Sequence, residues 1–195
     1  EYKSNLFKKE DKIRTDIEKD KEDVSLYLPD KFIIRDYQSR AIKNWKKQGY
    51  RGIFDMATGT GKTLTALAGV EQLFRDNKKR LGIIIVCPYQ HLVEQWVEDI
   101  ENFGIRPIIG YSRSSQRNWK KKLEQAIRSF NLNVLNFFCF ITTNASYVTD
   151  NIQAQIKLLG KDVVYVVDEA HNMGAEYYRK FLPENIKYRL ALSAT

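Results

Sequence analysis

The 195-residue chain carries 32 basic and 24 acidic side chains, with 43% apolar and 29% charged residues, the balance of a globular domain with one sizeable core. No apolar run approaches the ~20 residues of a membrane span, and the charged start Glu1-Tyr2-Lys3, without an initiator Met or an apolar h-region, is read as a piece of a longer or processed chain rather than a secretory signal. Cys87 and Cys139 lie in apolar runs and neither histidine has a Cys nearby, so two buried free thiols in a reducing, cytoplasmic setting are expected instead of a disulfide or a zinc site.

Residues 1–30 hold 7 basic and 9 acidic side chains, and the rest of the chain 25 and 15. The positive charge therefore sits on the body, as suits a polyanionic partner. The first thirty residues are expected to form a charged N-terminal extension or linker, with Leu6, Ile13 and Ile17 at rough helical spacing and Leu28-Pro29-Asp30 as its end. Residues 31–195 then alternate. The patterns predict a helix over Gln38–Gly49, a strand over Gly52–Met56, a helix over Lys62–Asp76 and an apolar, β-branched strand over Leu81–Cys87 stopped by Pro88. They continue with a helix over Gln90–Phe103, a strand over Pro107–Tyr111, a basic helix over Ser115–Phe130, a strand over Phe137–Thr142 and a helix over Tyr147–Leu159. A strand over Val163–Val167, a helix over Ala175–Leu182 and a strand over Tyr188–Leu192 complete the series.

Continuous apolar strands are covered on both faces. Strands alternating with helices imply right-handed crossovers and a mainly parallel sheet between two helical layers, an α/β three-layer fold. Ligands on such sheets bind outside the carboxyl ends of the strands.

Met56-Ala57-Thr58-Gly59-Thr60-Gly61-Lys62-Thr63 falls between a strand and a helix. Gly59 and Gly61 permit positive φ, so the backbone can curl around an anion. Thr58, Gly59, Thr60 and Gly61 would cradle phosphates with main-chain N–H groups, Lys62 would reach the β- and γ-phosphates, and Thr63 would place a hydroxyl on Mg²⁺. The general phosphate-loop pattern asks for Gly at position 56, where Met56 stands.

The strand Val163–Val167 ends at Asp168-Glu169-Ala170-His171, 105 residues further on. Asp168 offers Mg²⁺ a hard oxygen ligand, and Glu169 can orient and polarise the water that attacks a γ-phosphate. A helix-start acidic cluster would look the same taken alone. The stretch Arg113, Arg117, Lys120, Lys121, Lys122 and Arg128 with Trp119 could track a phosphate backbone, but reads first as a solvated helix face.

With these motifs in this order, the chain resembles the superfamily 2 helicases of the Asp-Glu-Ala-His type, over most of residues 33–195. Arg35-Asp36-Tyr37-Gln38 looks like their adenine-reading motif, and Ala57–Thr63 like motif I, in a form that commonly lacks the first glycine. Val86-Cys87-Pro88 through Gln95-Trp96 resembles motif Ia, Ile141-Thr142-Thr143 motif Ib, Asp168–His171 motif II, and Ser193-Ala194-Thr195 motif III. The style is similar to motor domains of type I and type III restriction enzymes and related DNA repair translocases.

The resemblance implies a first RecA-like motor domain that binds Mg-ATP and drives movement on nucleic acid, DNA before RNA. It implies Gln38 and Arg35 at adenine, and Pro88, Thr142 and Thr143 at the nucleic-acid backbone. His171 would couple the nucleotide site to the nucleic-acid face, and Ser193 and Thr195 would link γ-phosphate status to a second RecA-like domain, expected beyond Thr195. The competing expectations are an RNA helicase motor, a non-hydrolysing nucleotide-gated clamp, and a small phosphate-loop kinase. Intact Lys62, Thr63, Asp168 and Glu169 speak against the clamp; the Ser-Ala-Thr ending and the Gln38 motif speak against the kinase.

Overall fold

The structure is a computed structural model, and it describes residues 26–30, 32–171 and 180–194. Along the chain these form α1 (Asp36–Lys47), β1 (Arg51–Asp55), α2 (Lys62–Asp76), β2 (Leu81–Cys87), α3 (Gln90–Asn102), β3 (Ile108–Gly110), α4 (Trp119–Asn131), β4 (Phe137–Thr143), α5 (Asn144–Tyr147), α6 (Asp150–Lys157), β5 (Val163–Val167) and β6 (Tyr188–Ser193). The described strands make one six-stranded sheet in the order β1-β6-β5-β2-β4-β3, and every pairing is parallel. None of the described helices is long and apolar enough to cross a membrane.

Side-chain alternation builds a core on each face of the sheet. Leu81, Ile83, Ile85 and Cys87 of β2 join Cys139, Ile141, Val164, Val166, Leu190 and Leu192 under α1, α2 and α3. Their neighbours Ile84 and Val86 face the opposite way, with Phe138, Phe140, Val163, Tyr165 and Val167, under α4, α5 and α6. This double coverage explains why the central strands read as unbroken apolar runs. Both cysteines are free and buried, as expected.

The predicted bounds of α2, β2 and β5 coincide with the observed ones. The strands β1, β3, β4 and β6 and the helix α3 differ by one residue at one or both ends, and three other elements differ by more. The helix α1 starts two residues early, at Asp36, because the carboxylate suits its amino end and Gln38 Oε1 accepts from the Arg35 N–H (2.9 Å). The basic helix α4 begins at Trp119 instead of Ser115: Ser114 Oγ donates to the Ile109 carbonyl (2.6 Å) and Gln116 Nε2 to that of Pro107 (3.0 Å), holding a turn there. The helix expected over Tyr147–Leu159 is two helices, α5 and α6, divided at Val148 and Thr149, where Thr149 Oγ1 donates to the Ser146 carbonyl (2.7 Å). The helix expected over Ala175–Leu182 lies almost wholly outside the described residues, as does the extension over residues 1–25.

Gly82 sits mid-strand because its neighbours need the space. A Cβ built there would lie 2.5 Å from Cε1 of Phe138 on β4 and 3.2 Å from Cγ2 of Val163 on β5. Gly82→Ala is expected to destabilise the domain by about 1–3 kcal/mol through overpacking, which urea unfolding would measure.

Candidate functional site

The carboxyl ends of β1, β6 and β5 lie side by side, and each carries a segment singled out in the sequence. The phosphate loop leaves β1, Ser193 closes β6, and Asp168-Glu169 leaves β5. With β6 between them, the outer two strands are about 10 Å apart, a gap that lysine and glutamate side chains reaching toward each other can bridge. Lys62, the first residue of α2, does so: its Nζ lies 3.9 Å from Glu169 Oε1, with the lysine side chain 11% exposed. The Lys62 charge also acts on Asp168.

The loop adopts the conformation its glycines permit. Gly59 and Gly61 have φ of 78° and 79°, a region costly for residues with a Cβ. Thr60 Oγ1 donates to the Ala57 carbonyl (2.6 Å) and Thr65 Oγ1 to that of Gly61 (2.8 Å), holding the turn from both sides. No side chain caps the amino end of α2 at Gly61. Its first N–H groups are thus left without a side-chain cap, the condition in which a helix end can receive phosphate. Thr58 and Gly59 are exposed, and Thr60 and Thr63 half-buried.

Two residues of α1 brace this loop from behind. Tyr37 Oη donates to the Thr60 carbonyl at 2.8 Å, and Gln38 Nε2 reaches the same oxygen at 3.5 Å. Gln38 is only 4% exposed, and its Oε1 is taken up by the Arg35 N–H. A Cβ on Gly61 would meet Gln38 Nε2 at 3.1 Å. Gln38 thus braces the loop, with one acceptor lone pair and one N–H not used by these two bonds. Arg35 is exposed, with its guanidinium 3.5 Å from Tyr37 Oη. The loop-bracing part of Tyr37 was not visible in the sequence, since it depends on an approach between residues 23 apart.

Asp168 is 6% exposed. Its Oδ2 accepts from the indole N–H of Trp96 (2.8 Å) and its Oδ1 from the Glu169 N–H (2.9 Å), while its own N–H donates to the Val86 carbonyl (2.9 Å). Burial pushes the carboxyl pKa up; the Trp96 and Glu169 N–H groups pull it down, the Glu169 charge raises it, and Lys62 lowers it, for a net increase. Glu169 has φ of 48°, an uncommon conformation for a residue with a Cβ, of the kind held at functional sites. This turn sets its carboxylate between Lys62 and His171, whose Nδ1 is 3.4 Å from Glu169 Oε2. Among the described residues there is no group of three or more His, Cys, Asp or Glu that could hold a metal unaided. An Asp168 carboxylate and a Thr63 hydroxyl are, however, the oxygen donors Mg²⁺ takes when phosphates complete its shell.

Ser193 is half-buried, and its carbonyl accepts from Met56 N (3.1 Å), linking the phosphate loop to the end of β6. Thr195 lies outside the described residues. On the far side of the edge, Pro88 is half-buried after β2.

The expected part of Thr142 needs correcting. Thr142 is fully buried and its hydroxyl donates to the Gly110 carbonyl of β3, so it presents nothing to a nucleic-acid backbone. Thr143 is 5% exposed, and its Oγ1 accepts from Ser146 N (3.3 Å) as the cap of α5. Both are covered because β4 is buried through its last residue. On α4, Lys120, Lys121, Lys122 and Arg128 are exposed while Trp119 is 7% exposed, the pattern of a solvated helix face.

A parallel sheet between two helical layers, with a lysine of a glycine-hinged loop set against two carboxylates at a nearby strand end, defines a RecA-like phosphate-loop domain. Residues 31–195 match the family model described as type III restriction enzyme, res subunit; the chain belongs to this family of superfamily 2 helicases. It is 36% identical over 171 residues to the DNA 3'-5' translocase XPB2 of Sulfurisphaera tokodaii, a match covering 86% of this chain and 32% of that protein. Among solved structures it is similar to a nuclease-deletion mutant of the type ISP restriction-modification enzyme LlaGI with a DNA substrate mimic (TM-score 0.63, 23% identity, 84% of this chain and 18% of that one). It is also similar to the Sulfolobus solfataricus SWI2/SNF2 ATPase core in complex with dsDNA (TM-score 0.61, 22% identity, 87% and 34%). The chain thus spans about a third of the translocase it matches.

Tyr37→Phe removes one hydroxyl bond to the loop and little else. A lost hydrogen bond of about 1 kcal/mol corresponds to a roughly fivefold weaker nucleotide affinity, expected in a titration with a fluorescent ATP analogue.

Proposed function

We propose that this chain is the first motor domain of an ATP-dependent DNA translocase or helicase, within a restriction or DNA repair protein of the cytoplasm. The observation that carries the reading is Lys62, positioned by the phosphate loop, 3.9 Å from Glu169 and electrostatically coupled to Asp168. The same cation can exchange a carboxylate for the β- and γ-phosphates of ATP.

In this reading the N–H groups of the loop and of the first turn of α2 bind the triphosphate, with Thr58, Gly59, Thr60 and Gly61 shaping the cradle. Gln38 and Arg35 meet the adenine. Thr63 and Asp168 would hold Mg²⁺, which when bound supplies positive charge against the phosphate oxygens. Glu169, released from Lys62, orients the attacking water and accepts its proton. Catalysis is then positioning and charge neutralisation, with Lys62, Asp168 and Glu169 as the catalytic set.

Hydrolysis must also be reported to the track. His171, paired with Glu169, would couple the nucleotide site to the nucleic acid, while Ser193, joined through its carbonyl to the loop, and Thr195 would pass γ-phosphate status to a second domain. A second RecA-like domain in the full-length protein would close over the nucleotide and complete the site. DNA is favoured over RNA because the translocase relative and the two structural neighbours are DNA proteins by their names. By the resemblance, Pro88 and Thr143 would meet the nucleic-acid backbone; Thr143 is buried and its hydroxyl caps α5. A non-hydrolysing nucleotide-gated clamp is the second reading, favoured only by the carboxylate that Lys62 holds.

The test is ATP hydrolysis by the full-length protein with and without duplex DNA, and with RNA in parallel. Duplex DNA is expected to stimulate turnover more than RNA does. Lys62→Ala should abolish it, and Glu169→Gln should retain ATP binding while slowing hydrolysis about 10²–10⁴-fold. RNA-selective stimulation would make the chain an RNA motor, and DNA binding gated by ATP without hydrolysis would make it a clamp. The isolated domain should turn ATP over poorly, because the second domain's contribution is missing.

A further inference from the structure

Three tryptophans lie in this chain, and two of them show contrasting choices of hydrogen-bond partner. A buried indole N–H needs an acceptor. Trp45 Nε1 takes a main-chain carbonyl, that of Arg189, at 3.0 Å. Trp96 Nε1 takes a carboxylate, Asp168 Oδ2, at 2.8 Å across 72 residues of sequence. Trp96 is 2% exposed and Asp168 6%, so this bond is made out of water, where a charge-assisted bond is strong.

Trp96 reaches Asp168 through the packing of α3. Val93, Trp96 and Ile100 form its buried stripe, on the same face of the sheet as Cys87 and Val166. Along β5, Val167 points to the other face, so the alternation of the strand turns Asp168 toward α3. With Trp96 on Oδ2 and the Glu169 N–H on Oδ1, each carboxylate oxygen carries one donor. Two of its roughly four lone-pair sites remain, and the two bonds fix the plane in which they lie.

We infer that Trp96 is a positioning residue: its indole N–H sets the orientation in which Asp168 offers its free lone pairs to the divalent cation that accompanies ATP. The inference rests on the motor reading above, in which Asp168 is the metal ligand. Outer partners of ligating carboxylates commonly contribute 10–100-fold to metal affinity or activity. The sequence showed Trp96 as a helix position at the end of the motif Ia resemblance, with no sign of its bond to Asp168; the indole N–H gives it that use.

The test uses the full-length protein. Mn²⁺, in place of Mg²⁺, is titrated by electron paramagnetic resonance into protein saturated with a slowly hydrolysed ATP analogue, ATPγS. Trp96→Phe keeps an aromatic ring without the donor, and is expected to weaken Mn²⁺ binding about tenfold. Affinity for ATPγS in EDTA should stay at the wild-type value. Asp168→Asn should also lose Mn²⁺ affinity, and adding Trp96→Phe to it should cause no further loss, since the tryptophan acts only through that carboxylate.

Wild-type Mn²⁺ affinity in Trp96→Phe, or a deficit that adds in full to that of Asp168→Asn, would overturn the inference. If Trp96→Phe also loses EDTA-state nucleotide binding, the benzothienyl analogue of tryptophan placed site-specifically at position 96, which keeps the shape without the N–H, decides. A tenfold loss with it supports the inference, and wild-type affinity overturns it. Unchanged Mn²⁺ affinity in Asp168→Asn would instead remove Asp168 as a ligand, and with it the metal part of the motor reading.

Discussion

Lys62 is the residue on which the arrangement of this site depends. A glycine-hinged loop, one helix terminus and two strand ends all converge on the space around its ammonium group, and two carboxylates share its charge. Asp168 is buried, which raises the cost of its ionised form. Lys62 and the two N–H donors offset part of that cost. In the motor reading proposed above, a metal-bound triphosphate would replace one set of ionic contacts at this site with another.

The supports behind Lys62 are of two kinds. Tyr37 and Gln38 come from α1 and hold the carbonyl of Thr60, fixing the loop from outside the sheet. Trp96 comes from α3 and holds Asp168 from within the core. Both helices lie on the same face of the sheet as α2. That layer therefore sets the geometry of the nucleotide side, while α4, α5 and α6 complete the opposite core.

Much of this was legible in the sequence, for physical reasons that can be named. Leu81–Cys87 and Val163–Val167 are bounded by turn-forming or charged residues and buried on both sides, so pattern and strand coincide. Gly61 and Asp76 bracket α2 because glycine takes the left-handed cap and the helix runs unbroken between. Short-range side-chain bonds were harder to foresee: Ser114, Gln116 and Thr149 each divert the backbone where periodicity alone suggested continuous helix. Thr142 looked like an exposed strand end and is instead sealed by β3. Tyr37 and Trp96 gave no signal of their polar contacts, because those depend on chain segments brought together only by the fold.

One rung of the sheet has a mechanical consequence. The register of β1 and β6 ends at Asp55 and Ser193, and the Met56 N–H then adds a bond to the Ser193 carbonyl, so the nucleotide loop hangs from the last residue of β6. Tension on the polypeptide leaving β6 would run parallel to the strands and load the β1–β6 ladder in shear, with its bonds sharing the force together. In the motor reading, strain arriving along that segment would reach the phosphate loop through this rung, while the pairing of β6 with β5 shares the load.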